Sequence, residues 1–341
     1  MPESKVTLLQ KPQINVSVPS AGRMWLVCGC AFLCVLQSAF SDGGRTLVIA
    51  FTAFFSALLI ELLFTWRKHR AAKIKDGSAA ATAMILSMLL PNQIHPVFVF
   101  LGAAFAILVV KYSFGGLGSN WLNPALGGWL FIRFSWPSAF TNAFNGSTPS
   151  ISEMIIAPDI SGLDNSVTEL FNNSIFSIAG VQLPSGYIDL LFNNNAGIIT
   201  DRGLFFLLIG TIVITAVGIN RGWVPVVFLA VYGFLIRFAG DLSGTYWNGD
   251  MLYGIFSGGT IAAAFILAAE PASGAKLKPG LVFTVVLYAF LSWFFRYKCA
   301  EYTGCLIAIA LTNCLTPLVR LFEEKVFLCR VKHGKFQENR I

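Results

Sequence analysis

A chain of 341 residues that is 55% hydrophobic, holds 31 phenylalanines and is only 12% charged, with a mean hydropathy of +0.69, departs widely from an ordinary globular domain, about one-quarter charged. It reads as an integral membrane protein. The net charge of +7 sits mostly in short loops beside apolar runs, the pattern of membrane orientation rather than of a phosphate-binding stripe, which argues against nucleic acid as a partner.

The polar, basic leader 1–23 resembles a signal peptide, but no small-residue cleavage site follows it and many more apolar runs do, so a retained first helix is expected. A crossing takes about 20 apolar residues, and this places spans near 24–41, 46–66, 78–92, 95–111, 121–137, 203–219, 223–238, 253–269, 280–296 and 304–320. The expected fold is therefore an all-α polytopic membrane protein of about ten transmembrane helices. With the N-terminus in the cytoplasm, most of the 24 Lys and Arg residues fall inside, among them Arg23, the Arg67–Lys75 loop, Lys111, Arg221, Lys278 and the basic tail 321–341. The positive-inside rule then puts both termini in the cytoplasm. The longest connection, 138–202, has no Lys or Arg from Ser138 to Asp201 but carries Glu153, Asp159, Asp164, Glu169 and Asp189, so it is expected outside. Connections of this length are seldom mere linkers.

The third span, Gly77-Ser78-Ala79-Ala80-Ala81-Thr82 through Leu90-Pro91, and the eighth, Gly258-Gly259-Thr260-Ile261-Ala262-Ala263 through Glu270-Pro271, are alike. Both are rich in small residues, contain a buried Thr and stop at Pro. Each is third of five, and an odd number of crossings per half makes the halves, 24–137 and 203–320, two inverted five-helix repeats. Short, Gly- and Pro-interrupted spans at matching positions point to a central site, although small residues also simply permit close helix packing.

The seven cysteines, Cys28, Cys30, Cys34, Cys299, Cys305, Cys314 and Cys329, form no CxxC pair and lie mostly in apolar runs. Buried free thiols are expected, the alternative being a metal or iron–sulfur centre that Cys28 and Cys30 share with a partner. The run Phe114-Gly115-Gly116-Leu117-Gly118-Ser119-Asn120-Trp121-Leu122-Asn123-Pro124 contains a glycine fingerprint but joins two membrane helices, without the strand–turn–helix context of a dinucleotide site. It reads instead as a bend that a ligand can approach closely, with Gly115, Gly116, Gly118, Asn120 and Asn123 as candidate binding positions. Ionisable groups inside a membrane are functional candidates because burying charge there is costly. Glu61, Asp76 and Glu270 are accordingly candidates for an ion pathway, while Arg133 serves as well as an anchor for the outer loop. His69, His95 and His333 have no ligand spacing, so neither a metal site nor a set of catalytic residues is expected.

Lys75-Asp76-Gly77-Ser78, the run Gly115 to Leu126, Phe134-Ser135-Trp136-Pro137, Tyr187-Ile188-Asp189-Leu190-Leu191-Phe192 and Glu270-Pro271-Ala272 occur in the order found in the D subunit of Rnf complexes, which the chain resembles over nearly its whole length. It is also similar to the B subunit of the sodium-translocating NADH:quinone oxidoreductase. The resemblance implies a translocase subunit in a bacterial cytoplasmic membrane that couples electron transfer between ferredoxin and NAD(H) to Na⁺ or H⁺ movement. It implies FMN joined by a phosphoester to a threonine, and a second, non-covalent flavin, riboflavin or FMN, for which the glycine–asparagine bend is the candidate. Implied partners are other Rnf-type membrane subunits, an extracytoplasmic flavoprotein subunit and a flavin transferase. The attachment motif falls on Asn142 to Ser150, which makes Thr148 the candidate for covalent FMN. Asn142 stands where the family has Asp, Asn145 where it has Ser or Thr, and Ser147 where it has Ala; Thr168 is the competing acceptor. Two other readings remain: a small-solute channel or carrier of urea-channel-like fold, and a structural subunit that has lost its flavin.

Overall fold

The computed structural model describes residues 20–41, 44–66, 75–114, 116, 120–143, 173–174, 190–191, 198–239, 250–275, 277–299 and 301–332. Among them the regular structure is helical, with one isolated antiparallel bridge between Pro91 and Ile198. In chain order the helices are α1 (Ser20–Ser41), α2 (Arg45–Trp66), α3 (Ser78–Leu89), α4 (Pro96–Phe105), α5 (Pro124–Ser135), α6 (Pro137–Ala143), α7 (Ile199–Arg202), α8 (Leu204–Ala216), α9 (Trp223–Ala239), α10 (Met251–Phe256), α11 (Thr260–Ala262), α12 (Lys278–Trp293) and α13 (Gly304–Lys332). Three helices run on into wider π-helical turns: α4 into Ala106–Tyr112, α11 into Ala263–Ala268 and α12 into Phe294–Lys298. Among the described residues, four stretches are long and apolar enough to cross a membrane, Ala21–Phe40, Arg45–Trp66, Lys278–Lys298 and Gly304–Lys325, and four shorter apolar helices accompany them.

The third expected span, 78–92, ends early. Leu90 is extended because a following proline disfavours the helical conformation. The eighth expected span, 253–269, is not one helix: α10 stops at Phe256 and α11 begins at Thr260. Between them Gly258 (φ 67°) and Gly259 (φ 70°) are left-handed, a conformation open to glycine at little cost. At the C-terminal end α13 continues to Lys332, through the proline at position 317 and well beyond the expected limit of 320.

All twelve residues of α3 are buried. At about 1.5 Å per residue it spans about 18 Å, well short of a bilayer's hydrocarbon core of about 30 Å, so both of its ends need partners other than water. At its C-terminal end Trp129 Nε1 donates to Leu89 O (3.1 Å), Ile199 N to Leu90 O (3.1 Å) and Thr200 Oγ1 to Met88 O. α3 packs against α1, α2 and α5; α9 packs on α12 and α12 on α13; α1 against α8 and α13 against α5 join the two groups. Close approach depends on small residues. A Cβ on Gly128 would stand 2.6 Å from Gly102 O, where α4 and α5 touch. The outward faces carry Phe51, Phe55, Leu62, Phe234, Phe283 and Leu318 exposed, as suits a lipid-facing surface.

Candidate functional site

The starts of α3 and α11 are built alike. Gly77 precedes α3 at φ 70° and Gly259 precedes α11 at φ 70°. Each helix opens on a buried hydroxyl residue, Ser78 and Thr260. In each case a cation on the π-helical turn of the next long helix binds that hydroxyl. Lys111 Nζ donates to Ser78 Oγ at 2.6 Å, and Arg296 Nη1 donates to Thr260 Oγ1 at 3.2 Å. A π turn shifts helical phase by one residue, which here accompanies the inward aim of a charged side chain on an otherwise apolar helix.

The surroundings of the two cations differ. Lys111 pairs with Glu61 Oε1 at 2.7 Å, both side chains nearly free of solvent, and Tyr112 OH donates to the same oxygen at 2.8 Å. Ser78 in turn donates its backbone N–H (2.8 Å) and hydroxyl (2.7 Å) to Asp76 Oδ1. Arg296 gives its protons to neutral acceptors: Ser257 O (2.8 Å), Gly254 O (3.0 Å) and Tyr232 OH (3.4 Å). Beside it the buried Asp201 accepts from Gly258 N (2.7 Å), Gly259 N (2.9 Å) and Tyr302 OH (2.7 Å). A buried carboxylate with several donors and a buried guanidinium with several acceptors satisfy the requirement that buried charge be hydrogen-bonded.

The Lys111 clamp borders a cavity of about 370 Å³ whose wall includes Arg23, Ser78, Lys111, Asn120, Asn123, Asn220 and Glu270. That volume lies within the usual range of small-molecule sites, about 300–1,000 Å³. Asn123 caps α5 by accepting from Ala125 N (2.9 Å), and its Nδ2 donates to Glu270 Oε2 (2.9 Å), so one residue joins the α5 start to the turn after Ala269. In the amide orientation that satisfies both ends, Asn120 donates to Gly116 O (3.2 Å) and Val110 O (3.3 Å). Asn220 Nδ2 donates to Phe265 O (3.0 Å). Among the described residues, Arg23 Nε and Asn220 Oδ1 are buried with no partner. Lys111 spends two of its three N–H donors on Glu61 and Ser78. Arg23, Asn220 and Lys111 all line the cavity, and Lys111 keeps one N–H beyond its two bonds.

Of the positions singled out in the sequence, Asn120, Asn123 and Glu270 meet at this cavity, and Glu61 reaches it through Lys111. Asp76 lies behind Ser78 and binds it. Gly116 has φ 99° and contacts Asn120, whereas Gly115, Gly118, Thr148 and Thr168 lie outside the described residues. Arg133 forms a two-pronged ion pair with Glu301 (2.8 and 3.3 Å), which fits an anchoring role. Cys28, Cys30, Cys34 and Cys305 are buried free thiols, while Cys299 and Cys314 are exposed. Sequence reasoning missed Arg23, Lys111, Asn220, Asp201 and Arg296 as members of buried sites. Lys111 and Arg296 read in the sequence as charges at span ends that bear on orientation, yet both are buried. The available signal was a charge within four residues of a long apolar run's end, followed in both cases by Tyr, at Tyr112 and Tyr297.

The model of the NQR2, RnfD, RnfE family matches residues 7–327. The chain belongs to that family. Family members similar to it include the D subunit of the proton-translocating ferredoxin:NAD(+) oxidoreductase complex of Clostridium ljungdahlii, 25% identical over 94% of this chain and 95% of the relative. The D subunit of the Na(+)-translocating ferredoxin:NAD(+) oxidoreductase complex of Acetobacterium woodii is 24% identical over 96% of each chain. The D subunit of the ion-translocating oxidoreductase complex of Erwinia tasmaniensis is 26% identical over 83% of this chain and 86% of the relative. Membership in this family and the apolar helices identify an integral membrane protein.

Proposed function

We propose that the chain is the membrane flavoprotein subunit of an Rnf-type complex that couples electron transfer between ferredoxin and NAD(H) to Na⁺ or H⁺ translocation. It spans the membrane ten times as two inverted five-helix repeats, 24–137 and 203–320, with both termini cytoplasmic. The matched clamps at Ser78 and Thr260 support the repeats, because the same device recurs at the third span of each half. Orientation from Lys and Arg puts the Lys111 clamp and its cavity on the cytoplasmic side and the Arg296 clamp on the outer side.

The observation that carries the functional reading is the cavity joined to a full-length family match. Its unspent groups suit the imide edge of a flavin ring, which offers two carbonyl acceptors and one N–H. The third N–H of Lys111 and the wall residues Arg23 and Asn220 are the polar groups for that edge. A flavin held there supplies one- and two-electron redox chemistry, while the protein supplies binding, orientation and electrostatics. Asn123 and Glu270 brace the wall between the two repeats, and apolar residues such as Ile85, Ile214 and Ile266 exclude water from the ring faces.

Covalent FMN belongs on Thr148 in the outer connection, where an accessible hydroxyl is required and a Gly146-Ser147-Thr148-Pro149 turn presents one. The other Rnf-type membrane subunits, an extracytoplasmic flavoprotein subunit and a flavin transferase are the partners on this reading. A small-solute channel is the weaker alternative. In the second repeat the matching clamp is closed on itself, with the Arg296 side chain fully buried against Ser257 and Gly254.

Co-expression with the native transferase, followed by fluorescence of the denatured band, tests the assignment. Flavin fluorescence in the wild type and its loss in Thr148→Val are expected. Fluorescence that persists in Thr148→Val moves the site elsewhere, and a dark wild-type band removes covalent flavin from this chain.

A further inference from the structure

Around the Lys111 clamp, hydrogen bonds join into one continuous line that holding a flavin does not require. Asp76, half-buried just before α3, accepts the Ser78 hydroxyl proton at 2.7 Å. Ser78 Oγ accepts from Lys111 Nζ at 2.6 Å, and Lys111 Nζ donates to Glu61 Oε1 at 2.7 Å. Ser78 and Lys111 both form part of the cavity wall. The line therefore runs from a partly exposed carboxyl to a buried ammonium that borders the cavity. The Glu61–Lys111 pair itself is costly to bury, and for a fixed anchor a neutral hydrogen-bonding pair serves as well. A lysine is also the cation that gives up a proton when buried, as an arginine does not.

We propose that Asp76, Ser78 and Lys111 form a proton relay that carries protons from the cytoplasmic side to the flavin in the cavity, with Glu61 holding Lys111 in place. This rests on the non-covalent flavin reading above. For each electron delivered by partner subunits, one Lys111 Nζ–H bond breaks and that proton bonds to a basic atom of the ring. The resulting amine takes the Ser78 Oγ proton as Ser78 takes one that Asp76, an acceptor at rest, has picked up from water, and Asp76 returns to its starting form. One electron and one proton have entered the cavity, so its charge is unchanged and the ionised Lys111–Glu61 pair is restored. The physical driving force is local: an uncompensated electron in a low-dielectric site is strongly unfavourable. The other charged or titratable groups facing the relay are Arg23 from α1, Tyr112 beside Lys111 and Glu270 across the cavity.

The test uses the purified whole complex, reduced by methyl viologen radical, a one-electron donor that carries no proton. Acid extraction counts non-covalent flavin, and an indicator dye follows proton uptake in stopped flow. The wild type is expected to hold one extractable flavin more than an Ala81→Trp complex, since Ala81 lines the cavity and an indole there fills it. Asp76→Asn still accepts from Ser78 but carries no titratable proton; it is expected to retain flavin within about twofold while flavin-linked proton uptake slows at least tenfold. Ser78→Ala, which removes a hydroxyl and adds no bulk, is expected to do the same by cutting the line. Wild-type proton uptake in both variants with flavin in place overturns the relay and leaves the flavin site standing. Equal extractable flavin in the wild type and Ala81→Trp overturns the cavity reading and the relay with it.

Discussion

The two clamps solve one problem with different chemistry. Each must fix the start of a short buried helix, α3 or α11, at a depth where water does not serve as a partner. At α3 the solution is an ion pair, Lys111 with Glu61, beside an open cavity. At α11 it is a guanidinium wrapped by carbonyls and hydroxyls, next to a carboxylate, Asp201, that binds the turn's own N–H groups. Arginine offers five donors in a planar fork and lysine three on a flexible stem. The larger group is fully buried and gives its Nη donors to the turn and to Tyr232; the smaller one borders a cavity and keeps a free donor. One framework thus yields a sealed end and an open end, and the open end is where a ligand fits.

The sharpest way to break this comparison is to remove each cation. Arg296→Met leaves Ser257 O and Gly254 O without their donor and the neighbouring buried Asp201 without a compensating charge, and a loss of about 3–5 kcal/mol is expected. Little folded protein should then survive detergent extraction, as read by size-exclusion chromatography. Lys111→Met strands the buried Glu61 and should cost nearly as much, about 3 kcal/mol, but here the cost is pairwise. Glu61→Gln combined with Lys111→Met should therefore recover most of the thermal stability lost in the single variant; if the double variant melts no higher than Lys111→Met, the ion pair is not the organising contact.

The glycines sharpen the comparison at smaller scale. Alanine at either left-handed position costs about 1–2 kcal/mol in backbone strain. At Gly77 an added Cβ also meets Trp25 Nε1 at 2.8 Å, whereas at Gly259 the nearest atom, Ile198 Cδ1, is at 3.4 Å. Gly77→Ala should thus lower the melting temperature more than Gly259→Ala. The smallest effect is expected from Arg133→Gln. Its ion pair with Glu301 has side chains 20% and 24% exposed, which limits the loss to about 0.5–1 kcal/mol and leaves both clamps intact.

How much of this is legible in the sequence varies with the reach of the interaction. Gly77-Ser78 and Gly258-Gly259-Thr260 announce two interrupted helices, because glycine pairs, small residues and a terminal proline are local signals. The break inside the eighth span escapes a hydropathy reading because Met251 to Ala269 carries no charge, and hydropathy does not register backbone sign. Asn120, Asn123 and Glu270 stand out as polar groups at membrane depth, but nothing local tells Asn123 that its partner lies 147 residues away. Arg296 reads in the sequence as a charge at a span end; its side chain is fully buried. A basic residue at the end of an apolar run is equally consistent with snorkelling to water and with folding back onto a buried turn, and sequence does not separate the two.

By itself the sequence determined a helical membrane protein with two similar broken spans and a family resemblance running along most of its length. Those properties follow from hydropathy, from the conformational limits of glycine and proline, and from order along the chain. Only the tertiary structure decided which charges meet. Glu61 finds Lys111 across 50 residues and Asp201 finds Gly258 across 57, because packing sets α2 beside the π turn at Ala106–Tyr112 and α7 beside the turn that opens α11. It also decided that the Lys111 clamp stands beside an open space and the Arg296 clamp does not, since a cavity is what remains after every side chain has taken its volume.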